Sequence, residues 1–196
     1  TCGKTPFAAS FAMFSAGRAF EQVRNSVGYP HLNVKIAGSH AGISVGEDGA
    51  THQCCEDIAL MRSIPGMVVL NPADHYEMQA AVKAAAEYVG PVYIRLGRLA
   101  VESVNNNDDY ALEIGKGITL RDGKDITIIA TGLLVQEAVK AAKALEAAGI
   151  DARVLDIHTI KPLDTELVLK AAQETGRIVV AEEHNVIGGL GEAVSS

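Results

Sequence analysis

The sequence predicts an α/β protein built from two α/β units, each with a mostly parallel sheet. Three observations carry that expectation. Apolar runs of strand length alternate with amphipathic, alanine-rich helical stretches. The alternation breaks once, at a polar segment over residues 101–117, and then restarts. The chain has 196 residues, 48% of them hydrophobic, enough for one large domain or two small ones with a substantial core.

The elements follow in order. Phe11 to Val27 has helical spacing, with Phe14, Phe20 and Val23 on the candidate buried face. "HLNVKIAG", His31 to Gly38, reads as a strand. A glycine-rich loop follows, then a helix carrying Ile58, Leu60, Met61 and Ile64 and ended by Pro65. "GMVVL" is a strand closed by the Asn71-Pro72 turn signal. Asp74 caps an alanine-rich helix, and "GPVYIRLGR" is the next strand. "ESVNNNDDYALEIGKG" is the polar break. Beyond it come the strand "DITIIATG", a helix closed by Gly149, the strand "IDARVLDIHTI", a helix capped by Asp164, the strand "RIVVAEEH", and the start of a helix at "IGGLGEAVSS". The expected division is 1–100, a linker over 101–117, and 118–196.

Composition excludes several classes. The net charge of −7 argues against a general binder of nucleic acid or anionic membranes. No apolar run approaches the ~18 residues of a membrane span. Three cysteines, two of them vicinal (Cys54, Cys55), make a poor disulfide framework and point to a reducing, cytoplasmic compartment. The first residue is not Met and no signal-peptide core follows it, so both ends read as cut.

The chemistry concentrates in "SHAGISVGEDGATHQ", Ser39 to Gln53. In a mostly parallel sheet, ligands gather at loops leaving the C-terminal strand ends, and this loop leaves one. Gly38, Gly42, Gly46 and Gly49 permit tight turns and close approach to a ligand. If Gly49 opens a turn, Asp48 and His52 face one cleft, and His40 joins them from across the loop. Two imidazoles and a carboxylate suit proton transfer on a polyhydroxylated or carbonyl substrate. Alternatives are a solvated Asp-Gly turn and a zinc site on His40, His52, Cys54 and Cys55, whose spacing fits no familiar zinc pattern.

Other residues carry weaker signals. Arg95 and Arg98 flank Gly97 at a strand end, suiting either an oxyanion or ion pairs. Phe11 and Phe14, three apart, share a helix face or a turn and serve as core or as a ring-binding pair. His158 and His184 read as structural, His31 and His75 as surface residues, and Cys54-Cys55 as a buried helix start. "IGGLGE" is a weak phosphate-loop signal.

"GEDGATHQ", with "SH" ahead of it, resembles the pyrimidine-binding domain of the transketolase family. "NPADHYEM", "GPVYIRLGR", "DIHTIKPLD" and "VAEEHNVIGGLGEAV" continue that resemblance in order, across essentially the whole chain. The pattern is most similar to the C-terminal subunit of split transketolases, a pyrimidine-binding domain followed by a transketolase C-terminal-like domain. The resemblance implies transfer of a two-carbon ketol unit between sugar phosphates, as in the pentose phosphate pathway, with thiamine diphosphate as cofactor. It implies catalytic roles near substrate and cofactor for His40 and His52. It implies substrate contacts for Asp48 (a donor hydroxyl) and Arg98 (the sugar-phosphate end), and cofactor-ring contacts for Phe11 and Phe14.

The third family aromatic falls on Gly17. The family's cofactor-activating glutamate belongs to a segment upstream of Thr1. The diphosphate and its Mg2+ or Ca2+ are expected on a partner, the N-terminal diphosphate-binding subunit or domain; no metal site is expected here. The chain alone is therefore expected to be inactive, in an assembly with homodimeric contacts. Competing readings are a 1-deoxyxylulose-5-phosphate synthase-like enzyme, a 2-oxo-acid dehydrogenase β-like subunit, and a non-catalytic interaction module.

Overall fold

The computed structural model describes residues 2–105 and 110–196. Part of the asparagine–aspartate run, residues 106–109, lies outside them. Two sheets form. The first has the order β1 (Phe7–Phe11), β2 (Lys35–Ser39), β4 (Val92–Arg95), β3 (Val68–Leu70), β8 (Thr159–Lys161). The second has the order β5 (Ile118–Arg121), β7 (Ala152–Asp156), β6 (Ile126–Ala130), β9 (Ile178–Ala181). All pairings are parallel except β3 with β8 and β5 with β7. β3 and β4 are buried along their whole length, the signature of a parallel sheet covered on both faces.

Four elements depart from the sequence reading. β5, at Ile118–Arg121, has no counterpart in it and pairs antiparallel with β7. Phe11 ends a strand instead of opening a helix, because "FAASF" pairs in register with β2. The helix that follows, α1 over residues 13–28, is widened, with five-residue hydrogen bonds such as Ala19 N–H to Phe14 O at 3.0 Å. Its buried positions are Ser15, Ala16, Val23 and Gly28; Phe14 and Phe20 are only half-buried. The expected strand through "IDARVLDIHTI" is two: β7 stays in the second sheet, whereas β8 crosses over and pairs antiparallel with β3 of the first. A strand shared this way ties the units together.

The helices α2 (Asp57–Ser63), α3 (His75–Glu87), α4 (Leu134–Ala147), α5 (Thr165–Thr175) and α6 (Leu190–Ser195) fall where the periodicity places them. Asp74 and Asp164 cap α3 and α5 by accepting Glu77 N–H at 3.0 Å and Leu167 N–H at 3.1 Å. The phosphate-loop signal before α6 has another explanation. The Glu182 carboxylate already accepts Leu190 N–H and Gly191 N–H, at 2.7 and 2.9 Å. One apolar cluster spans both units, joining Ile58, Met61 and Val69 to Leu155, Ile160 and Val168. No helix among the described residues is long and apolar enough to cross a membrane.

A carboxyl cluster is buried at the junction of the units. Glu77 accepts from Ala73 N–H and from the Tyr110 hydroxyl, at 2.6 and 2.7 Å. Asp156 lies against Glu77, with which it shares a hydrogen bond once one of the two is protonated, and no other donor among the described residues reaches its oxygens. Burial pushes the Glu77 carboxyl up to about 7, with the Asp74 charge adding to the shift. Burial, backed by Glu77 and Asp74, also holds Asp156 well above the usual range. A raised folded-state value means that the folded chain holds more protons than the unfolded chain between 4.5 and about 7. Stability therefore falls as pH rises through that window. Asp156→Asn removes one of the two facing carboxyls and is expected to flatten that loss, measured as urea unfolding between about pH 5 and pH 8. An unchanged pH profile would remove this pair from the account.

Candidate active site

The loop leaving β2 is closed into a neck by two short contacts. Ala41 N–H reaches Leu96 O at 3.1 Å, and Gly42 pairs with Cys54, N–H to O at 2.8 Å. Beyond the neck, Gly46–Asp48 forms a single tight turn. Gly49, at φ +72°, opens the next turn, and its carbonyl accepts from His52 N–H (3.0 Å) and Gln53 N–H (3.2 Å). This is the turn that the sequence anticipates at Gly49. Gly38 is not a turn residue; it lies in β2, where the Tyr93 ring fills the space a Cβ would need.

Four rings meet at the mouth of this loop. His40 stacks on Phe11 with centroids 4.0 Å apart and planes 21° apart. Phe11 and Phe14 are nearly parallel, 6° apart at 6.0 Å. His52 stands edge-on to both, at 5.8 Å from Phe11 and 5.2 Å from Phe14. β1 positions Phe11, the first turn of α1 positions Phe14, and the loop brings both histidines to them. Each imidazole is oriented by a neighbouring hydroxyl: His40 Nδ1 by Ser39 Oγ at 3.1 Å, His52 Nδ1 by Thr51 Oγ1 at 2.9 Å. No hydrogen bond from the described residues engages Nε2 of either ring. His40 also holds φ +59°, a conformation uncommon outside glycine and enriched at functional sites.

Asp48 and Arg98 stand together, Arg98 Nε to Asp48 Oδ2 at 3.8 Å. The same guanidinium donates to Glu47 Oε1 at 2.7 Å. Glu47's own backbone N–H and the Arg98 charge hold its carboxyl below the usual range. With the Glu47 side chain 79% exposed, this pair is weak and exchanges readily for another anion. Arg98 is thus an available cation.

Arg95 is not. It is buried against Asp57, Nε to Oδ2 at 2.8 Å and Nη2 to Oδ1 at 3.2 Å, and Tyr93 donates to the same carboxylate at 2.8 Å. Of the two oxyanion candidates one is structural. The zinc reading also fails. Cys54 is fully buried in the neck, burial and the Asp57 charge push its thiol up to about 12, and no group able to hold a metal occurs among the described residues. The space of the third aromatic, at Gly17, is taken by the Met13 side chain. His158 is buried beside Thr159, and burial pushes it down to about 4, consistent with a structural role.

Two residues escape the sequence reading. Arg18 lies over the Phe14 ring, 4.7 Å from its centroid, one helical turn on. The four-residue spacing was a usable signal. Glu183 reaches the loop from the second unit, accepting Ser44 N–H at 2.9 Å; 139 residues of separation hide such a contact.

Residues 1–103 match the pyrimidine binding domain of transketolase, and residues 115–196 match its C-terminal domain. The chain belongs to the transketolase family. A Methanocaldococcus jannaschii protein described as a transketolase C-terminal section is 52% identical over all of this chain and 61% of its own length. The 6-deoxy-6-sulfo-D-fructose transketolase subunit SqwH of a Clostridium species is 48% identical, over 98% of this chain and 60% of its own. A solved split-gene transketolase, in an inactive β4 tetramer, superposes with TM-score 0.92 at 55% identity, over 98% of this chain and 62% of that one. This transketolase-family chain thus spans about three fifths of the length of each of these three relatives.

Proposed function

We propose that this chain supplies the pyrimidine-side wall of a composite transketolase site, completed by a diphosphate-binding partner subunit or domain. The observation that carries the reading is the four-ring wall of Phe11, Phe14, His40 and His52 on the loop that also bears Asp48, with Arg98 against it. The wall fits the ring half of thiamine diphosphate. Parallel phenyl faces favour a flat heteroaromatic ring by dispersion and offset stacking. The reading assigns the diphosphate and its Mg2+ or Ca2+ to the partner. The names of the relatives, a section and a subunit, support a partner of that kind. When bound, thiamine diphosphate supplies the carbanion stabilisation that two-carbon transfer needs.

This chain's residues do the rest of their share. Phe11 and Phe14 orient the ring and exclude water from one side. His40 and His52, through Nε2, exchange protons with the sugar's hydroxyl and carbonyl oxygens. Asp48 accepts a hydrogen bond from a donor hydroxyl. Arg98 releases Glu47 and takes the phosphate end of the sugar. The free thiols of Cys54 and Cys55 fit the reducing cytoplasm, and the family resemblance supplies the expectation of a dimer-based assembly.

Product analysis of the assembled enzyme tests the reaction class. With xylulose 5-phosphate and ribose 5-phosphate the expected product is sedoheptulose 7-phosphate. In a parallel assay with pyruvate as donor, carbon dioxide release with deoxyxylulose phosphate formed on glyceraldehyde 3-phosphate, or acyl transfer to lipoamide, would replace this reading with one of its cousins.

A further inference from the structure

One turn of the second unit grips the candidate active-site loop. The turn follows β9 and runs from Glu182 to Asn185. Asn185 gives Cys55 O two hydrogen bonds, from its backbone N–H at 3.0 Å and its side-chain amide at 2.7 Å. Ala59 N–H reaches His184 Nε2 at 3.4 Å. Glu183 is held at both ends. Its backbone carbonyl accepts from the buried Arg95 at 2.8 Å, and its carboxylate accepts Ser44 N–H at 2.9 Å.

Ser44 is the significant partner. The segment has four backbone anchors within four residues: Ala41 to Leu96, Gly42 to Cys54, Ile43 O to the Gln53 side chain at 2.9 Å, and Ser44 to Glu183. The first comes from the C-terminal end of β4, and the second and third from the loop's own return limb. The fourth comes from the other unit. Ser44 sits between His40 and the Gly46–Asp48 turn, so the Glu183 bond fixes the middle of the stretch joining two candidate substrate contacts. Gly42 is shaped to admit it: at φ +87°, a Cβ there would stand 2.8 Å from both the Glu183 carboxyl carbon and its Oε1.

From this geometry we infer that Glu183 is a positioning residue, by which the second unit sets the placement of His40 and Asp48. It touches no reacting atom in this account. It acts through the Ser44 amide, and Arg95 fixes it in turn. The inference rests on the proposed transketolase reading for its kinetic consequence, but not for its structural one.

The test uses the full chain and the assembled enzyme, with Glu183→Ala and Glu183→Gln. The Ala variant removes the acceptor; the Gln variant keeps a carbonyl oxygen facing Ser44 N–H. In Glu183→Ala, amide exchange at Ser44 is expected to speed up at least ~10-fold, the scale of a lost hydrogen bond to a charged group. kcat/KM for the ketose donor is expected to fall by a similar ~10-fold, chiefly through KM, because Asp48 is displaced. Glu183→Gln is expected to recover most of both. Exchange at Ser44 and donor kcat/KM within about twofold of the parent in Glu183→Ala would overturn the inference. So would a Gln variant as impaired as Ala, or a loss spread over every amide in step with a lower Tm. If the parent assembly shows no ketol transfer at all, the functional reading fails instead, and the exchange result still decides whether Glu183 holds the loop.

Discussion

Asp57→Ala is expected to lower the unfolding free energy by about 3–5 kcal/mol, the range for removing one partner of a buried ion pair. Both side chains are out of solvent, at 4% exposure for Arg95 and none for Asp57. Without the carboxylate, among the described residues the guanidinium keeps two carbonyls, Cys54 O at 3.4 Å and Glu183 O at 2.8 Å, and the weaker attraction of the Glu183 charge. The Tyr93 hydroxyl loses its acceptor as well. The stranded charge, more than the lost attraction, makes the effect large. Replacing the pair together, Asp57→Leu with Arg95→Met, is therefore expected to recover much of the loss. Urea denaturation of the single and double variants checks this. A single-variant loss under about 1 kcal/mol would mean that the pair is not dry in solution.

The second large effect is on turnover. His52→Ala in the assembled enzyme is expected to cut kcat about 10²–10⁴-fold, the usual contribution of a positioned proton-transfer group. Its ring is half-buried and touches the wall only by its edges, so the chain should still fold. His52→Asn, which keeps hydrogen bonding without an ionisable ring, should be nearly as impaired. Steady-state rates with both variants, alongside unchanged far-UV circular dichroism, separate lost chemistry from lost structure. A fall smaller than about threefold would remove His52 from proton transfer.

Much of this arrangement is legible in the sequence because its determinants are local. The caps at Asp74 and Asp164 precede alanine-rich helices, and the turn at Gly49 follows from its neighbours. Motif order brings the ring and loop residues into one family pattern. Long-range determinants were not legible. Nothing in "DIHTIKP" signals that Thr159–Lys161 leaves its own sheet to pair with β3. Arg95 and Arg98 look alike in sequence, and only the fold buries one against Asp57 while leaving the other on exposed Glu47. Phe11 reads as the start of a helix because it fits the apolar spacing that runs on to Val27; pairing of Phe7–Phe11 with β2 makes it the end of a strand, and His40 stacks on it there. Glu183 was invisible for the same reason.

The central claim is that this chain is one wall of a site completed by another. Titration of the full-length subunit that carries this chain, upstream segment included, with its diphosphate-binding partner, at saturating thiamine diphosphate and Mg2+, tests it most directly, with ketol transfer from xylulose 5-phosphate as the readout. The account predicts no turnover from the chain alone and a rate that rises with partner to a plateau at a fixed stoichiometry. Turnover by the chain alone, or none at any partner ratio, would contradict it.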